Sequence, residues 1–208
     1  MSRTFAVAAT LAVIALLGAS YYLTTGKSSG EFAQCKQGSV AGGASAIGGP
    51  FTLVNGAGET VTSEEVLTKP SLIYFGYTFC PDVCPLDVAR NAVAVEILEE
   101  EGIEVQPVFI SIDPERDTPE VVADFVAAQH PAMVGLTGSP EQVKAASQAY
   151  RTFYSKQPAA LGEEAYYLVD HTTFTYLTLP ERGFVEFFRR DLGPEAMAEQ
   201  VACFVNAS

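Results

Sequence analysis

"SLIYFGYTFCPDVCPLD", residues 71–87, decides the fold. Its first seven residues form a continuous apolar and aromatic run, the pattern of a strand buried on both faces. Cys80 and Cys84 follow, each directly before a proline. A residue before proline is pushed out of the α region, so "CPDVC" reads as a bent loop. Pro85 suits the first position of a helix, where the missing N–H has no intrahelical role. The prediction is a buried strand, a loop carrying two thiols, and a helix over about 85–101. In open α/β sheets the crevice beyond the carboxyl ends of the strands is where ligands bind. Cys84 falls at or near the helix N-cap, where orphan N–H groups and the helix dipole favour a thiolate.

The pattern continues outward on both sides. Before it, "FTLV" (51–54) is a short strand, "NGAG" a turn, and Thr62 with Glu65 has capping-box spacing for a short helical turn. After it, Thr118-Pro119, Ser139-Pro140 and Gly193-Pro194 repeat the helix-start signal. Helices are predicted over 118–129, 139–150 and 193–205. Strands are predicted at 105–112, 133–136, 165–169, 173–179 and 183–188. Short links near 170–172 and 180–182 suggest antiparallel hairpins, while the first half is a βαβ crossover with parallel strands. The fold class is α/β: a mixed, thioredoxin-like sheet flanked by helices.

The N-terminus differs in kind. No charge occurs between Arg3 and Lys27, and Phe5–Leu23 is nearly all apolar or small. That is about the roughly 20 residues a helix needs to cross a bilayer. Arg3 marks the cytoplasmic side, and Tyr21 and Tyr22 fit the far interface. The run is long for a signal peptide, which favours an uncleaved anchor; Gly18 and Ser20 offer the alternative of a cleavage site. Either reading puts the remainder outside the cytoplasm, where thiols oxidise and stay oxidised. Residues 1–25 are thus expected to be a transmembrane anchor, 26–50 a Gly/Ser-rich tether, and 51–208 the folded domain. Formal charge is −13, from 12 Lys and Arg against 25 Asp and Glu, which argues against nucleic-acid binding.

Two thiols four positions apart allow a disulfide, a redox couple, or part of a metal site. A thioredoxin-type oxidoreductase has two residues between its cysteines; this chain has three, Pro81, Asp82 and Val83. Soft thiolates select Cu(I) or Zn(II), and imidazole suits both. Structural zinc takes four protein ligands, whereas Cu(I) is content with three. The chain has two histidines. His130, at the end of a predicted helix, reads as structural. His171, in a turn on the functional rim, is the better third ligand. Asp113, ending a central strand, and Asp170, beside His171, are candidates to support it, since carboxylates commonly orient ligand histidines. Tyr74, Phe75, Tyr77 and Phe79 read as core. Cys35 and Cys203 are expected to pair, stapling the tether to the last helix; free or intermolecular thiols are the alternative.

"GYTFCPDVCP" (76–85), "ISIDPERDTPE" (110–120) and "YLVDHTTFTYL" (167–177) together resemble the Sco/SenC family of membrane-anchored copper chaperones. The resemblance implies a thioredoxin-like fold, and copper, as Cu(I) or Cu(II), bound by Cys80, Cys84 and His171. It implies a role in cytochrome c oxidase assembly, with copper passed among carriers to the dinuclear centre of subunit II. The thiols would otherwise reduce the cysteines of that centre. It further implies a single-pass protein of the inner, cytoplasmic membrane with its domain facing the periplasm. Cys35, Cys203 and the Gly-rich segment lie outside the family pattern. The rival class is an extracytoplasmic thiol-disulfide oxidoreductase using Cys80 and Cys84; a membrane-bound redox or copper sensor is a third, disfavoured by the lack of a cytoplasmic domain.

Overall fold

A computed structural model describes Phe5, residues 11–18, Ser20, and residues 32–36, 46–159 and 165–208. The chain divides into two units, Met1–Gln34 and Cys35–Ser208. In the first, the described residues between Phe5 and Ser20 are helical, and the large apolar side chains among them are exposed. Among the described residues no helix is long and apolar enough to cross a membrane. The rest of the expected anchor, and most of the expected tether, lie outside the described residues.

The second unit holds the sheet. Strand β1 (Thr52–Asn55) pairs antiparallel with β2 (Thr60–Thr62), a strand too short to announce itself in sequence. Helix α1 (Ser63–Val66) follows, with both halves of the Thr62–Glu65 capping box formed. Strand β3 (Ser71–Gly76) is buried at every position, as its unbroken apolar run demands. Helix α2 (Val83–Glu100) leads to β4 (Gln106–Ser111), and α3 (Pro119–Ala127) to β5 (Val134–Thr137). Then come α4 (Pro140–Ala149), β6 (Tyr154–Lys156), β7 (Val169–His171), β8 (Thr175–Leu179), β9 (Gly183–Phe188) and α5 (Pro194–Asn206). Strand order is β2-β1-β5-β4-β3-β8-β9, and β6-β7 form a separate ribbon. The strands β3, β4 and β5 are parallel; β8 and β9 add antiparallel at one edge and β1 at the other.

Strand alternation distributes the helices. Tyr74 points to one face and reaches Asp87 of α2; its neighbour Phe109 packs on Phe125 of α3. Both crossover helices therefore share that face, and α5 packs on α2. Phe75 points the other way, to Tyr150 at the end of α4 and to Tyr176. The result is a thioredoxin-like mixed sheet with helices on both faces.

Two sequence expectations change. Helix α2 starts at Val83, two residues before Pro85, so "CPDVC" bends only up to Asp82. The first four N–H groups of any helix lack intrahelical partners, so proline fits the third position as well as the first. The apolar run at 165–169 contributes only Val169 to a strand, and no hairpin joins it to β8; β7 pairs instead with β6, Tyr154 opposite His171. The end of the tether is docked, and the expected pairing of Cys35 with Cys203 is formed. Gly48 N–H donates to Ala149 O at 2.8 Å, Arg151 Nε to Ala46 O at 2.7 Å, and Cys35 is buried in a disulfide with Cys203 of α5.

Candidate metal centre

Cys80 lies in the loop between β3 and α2, Cys84 is the second residue of α2, and His171 is the last residue of β7. One atom from each, the two Sγ and an imidazole nitrogen, lie within 4.8 Å of one another. Cys84 Sγ stands 3.3 Å from His171 Nε2. Cys84 is fully buried, Cys80 nearly so, and His171 half-buried. Both thiols are free.

Backbone at the start of α2 sorts the two sulfurs. The carboxylate of Asp82, the N-cap residue, caps nothing, and the Cys84 N–H donates to Cys80 Sγ at 3.4 Å instead. Cys80 thus takes the anion-favouring place at the helix N-terminus that its spacing suggested for Cys84. A hydrogen bond from Cys84 pulls the Cys80 thiol down to about 4 against the opposing effect of burial, helped by the N–H groups of Cys84 and Asp82 and by Tyr77. The same bond, with burial, pushes the Cys84 thiol up. Both directions favour a thiolate on Cys80 and a thiol on Cys84. Iodoacetamide should alkylate Cys80 at a rate nearly constant between about pH 6 and pH 8, because an ordinary thiol titrates near 8.5 and this one far below. A rate that climbs about tenfold per pH unit across that range, as it does for an ordinary thiol, would sink this assignment.

Among the described residues a backbone carbonyl, not a carboxylate, orients the imidazole. His171 Nδ1 lies 2.9 Å from the Thr172 carbonyl, which can only accept. Nδ1 therefore carries the proton, and Nε2 presents its lone pair to the sulfurs. Tyr74 and Tyr77 set their rings edge-on to the imidazole, at 6.1 and 6.0 Å. The Tyr77 hydroxyl also accepts from Val169 N–H at 3.3 Å, tying the start of the His171 strand to the cysteine loop. These tyrosines are buried as expected, but they act as walls of the site as well as core; Phe79 is 54% exposed and belongs to neither.

The other candidates fall elsewhere. Asp170 turns away from the imidazole, because neighbours on a strand point to opposite sides, and accepts a hydrogen bond from Gln157. Asp113 touches neither sulfur nor imidazole: its carboxylate accepts from Arg116 Nε at 2.5 Å and from the Tyr167 hydroxyl at 2.6 Å. His130 is buried at the end of α3, accepting from Ala132 N–H, a structural role. Sequence reasoning missed Asp117. Fully buried, it accepts from Thr78 N–H at 3.0 Å, Thr78 Oγ1 at 2.6 Å and Ser111 Oγ at 2.5 Å, pinning the cysteine loop to β4; burial pushes its carboxyl up. The only signal was a second aspartate in "DPERD", indistinguishable from a turn residue.

Gly76 lets β3 approach the site. A Cβ there would sit 2.8 Å from Tyr74 Cε1 and 3.1 Å from Cys84 Sγ. Gly76→Ala should therefore destabilise the fold by about 1–3 kcal/mol in urea unfolding, the usual overpacking penalty. A change below about 0.5 kcal/mol, typical of a neutral surface site, would show that the wall yields freely.

Chemically, three soft or borderline donors face one another. A thiophilic cation that displaces the thiol proton gains two thiolates and a neutral nitrogen at once, and the donors fit Cu(I) or Zn(II) by type. Among the described residues this is the only Cys-Cys-His group of that kind.

Comparison with known proteins agrees with this chemistry. A family model described as SCO1/SenC matches residues 39–206. Over 209 residues the chain is 51% identical to protein SenC of Rhodobacter capsulatus, covering 99% of this chain and 92% of that protein. It is 43% identical over 167 residues to the mitochondrial SCO1 homolog 1 of Arabidopsis thaliana, covering 80% of this chain and 49% of that one, or about half its length. Among solved structures, Arabidopsis thaliana ScoI with copper bound superposes with a TM-score of 0.72 at 40% identity, over 77% of this chain and 99% of that one.

Proposed function

The chain belongs to the SCO1/SenC family, and on that premise we propose that it is a copper carrier that holds its cargo on Cys80, Cys84 and His171. The observation that carries this reading is the convergence within 4.8 Å of three candidate ligand atoms from a loop, a helix and a strand, with Cys84 and His171 lying 87 positions apart. Support comes from the donor types, from the unprotonated Nε2, and from a similar structure described with copper bound. Cu(I) with two thiolates and one neutral imidazole forms a compact site of low charge. Three ligands leave a face open, so an acceptor's ligand can replace one sulfur at a time. The Cys80 side, nearer solvent than sealed Cys84, is where exchange begins. Cu(II) is held by the same set.

The acceptor proposed is the dinuclear copper centre of cytochrome c oxidase subunit II, reached directly or through other copper carriers. The apolar stretch Phe5–Leu23 anchors the chain in the inner membrane, residues 26–50 tether it, and residues 51–208 work in the periplasm. The exposed apolar helix at 11–18 supports the anchor.

The low-titrating Cys80 favours a second reading, reduction of a target disulfide. The Cys80 thiolate would attack one target sulfur and expel the other as a thiolate. Cys84 would then lose its proton to solvent and attack Cys80 Sγ, leaving the target as a dithiol and this pair as a disulfide. Anaerobic Cu(I) titration of the reduced protein against a chromophoric chelator tests the carrier reading. One copper per chain is expected, with none retained at that affinity in Cys80→Ala or Cys84→Ala. Unchanged binding in either variant would refute it.

A further inference from the structure

The ribbon that carries His171 is the least self-sufficient part of the fold. It pairs three residues with three, outside the main sheet, and a two-stranded ribbon is at best marginal alone in water. Something else must fix the imidazole beside Cys84.

Besides the Tyr77 hydroxyl that holds Val169, the loop between β4 and α3, residues 113–117, supplies it. Tyr167, two residues before β7, is buried against this loop and donates its hydroxyl to Asp113. The Arg116 guanidinium lies 3.7 Å from the centroid of the Tyr167 ring, and Lys156 Nζ of β6 is also 3.7 Å from it. Arg116 Nε is held by Asp113, and Nη1 donates to Ala165 O at 3.3 Å; Nη2 is buried with no acceptor among the described residues. The cation's place over the Tyr167 ring adds to the Asp113 ion pair, and a guanidinium can stack on an aromatic face where an ammonium cannot. The guanidinium also faces Tyr77, at 5.6 Å, and Phe79, at 5.0 Å. Lys156 pairs with Glu115 at 2.6 Å, but both are half exposed or more and such a pair adds little. Two residues on, Asp117 grips Thr78 of the cysteine loop.

We propose that Arg116 and Tyr167 are positioning residues for His171: the loop 113–117 clamps the sulfur arm through Asp117 and the nitrogen arm through Arg116 and Tyr167, and so sets the spacing of the three ligand atoms. Its consequence for copper rests on the carrier reading; the clamp itself does not.

The test uses the reduced, metal-free protein and its Cu(I) complex. Arg116→Ala should weaken Cu(I) binding by about 10- to 100-fold, the range for groups that orient a ligand. In a His171→Ala background the same change should alter affinity by less than about twofold, because the group it orients is gone. In the metal-free protein, nitrogen-15 NMR should show loss of the protected His171 Nδ1–H and of contacts between its ring and Tyr77. The Cys80–Cys84 redox equilibrium with glutathione should not move. Tyr167→Phe, which keeps the ring and loses one hydrogen bond, should weaken copper by about two- to tenfold and guards against misfolding of the arginine variant. Arg116→Lys should restore only part of the loss. Equal weakening in both backgrounds, or an unaltered His171 spectrum, would overturn the proposal. If His171→Ala alone leaves copper binding intact, the carrier reading fails instead, and the spectrum of metal-free Arg116→Ala still decides the clamp.

Discussion

Replacing His171 with alanine is expected to weaken Cu(I) binding at least about a hundredfold, or roughly 2.7 kcal/mol, while Cys80 and Cys84 still form a disulfide and exchange it with glutathione. The asymmetry follows from geometry. Nε2 is 3.3 Å from Cys84 Sγ and is the only nitrogen donor in the group. Without it a copper ion keeps two sulfurs and must recruit water or an external ligand. The thiols lose little, because the depressed titration of Cys80 comes from Cys84, Asp82 and Tyr77, not from the imidazole. Competition titration with a Cu(I) chelator, paired with a glutathione redox titration of the same variant, reads both halves. An unaltered copper affinity would leave dithiol exchange as the function; a collapsed redox couple would mean that the imidazole sets thiol chemistry too.

Changing both Cys35 and Cys203 to serine should lower stability by about 2–4 kcal/mol and the unfolding midpoint by roughly 5–15 °C. The bond closes a loop of 168 positions, which in the chain-entropy model removes about 5 kcal/mol of freedom from the unfolded chain, more than engineered bonds deliver in practice. It fastens the docked part of the tether to α5, and α5 packs on α2, the helix bearing Cys84. Calorimetry of the double variant beside the parent in oxidising buffer checks the figure. A midpoint shift below about 2 °C, less than 1 kcal/mol for a chain of this size, would show that the bond constrains little. Copper stoichiometry should remain one per chain, since neither sulfur belongs to the Cys-Cys-His group.

Much of this architecture is written locally. The unbroken apolar run at 71–77 demands a strand buried on both faces, and one forms. Proline after a capping residue marks three helix starts within one residue, at Pro119, Pro140 and Pro194. The same signal misplaced α2, because Pro85 is allowed anywhere in the first turn and the preceding valine and cysteine joined the helix. The run at 165–169 misled for a different reason. Its apolar residues look like a sheet strand, yet Tyr167 is drawn to Asp113 and Arg116, and only Val169 enters β7. No nearest-neighbour pattern contains the pull of a loop some fifty residues away.

By itself the sequence determined the mixed α/β order and the two thiols after a buried strand, and it limited any imidazole partner to two histidines, because periodicity, caps and composition act over a few residues. Tertiary structure alone decided which groups meet. Cys84 and His171 are 87 positions apart in the chain and 3.3 Å apart in space, a closeness that exists only once β7 is clamped over β3. It also decided that Cys80 rather than Cys84 accepts the N–H at the helix start, that Asp170 faces away and that Asp113 serves Tyr167. Each depends on where an N–H, a hydroxyl or a carbonyl points after the sheet has closed, and direction in space is what a linear pattern does not carry.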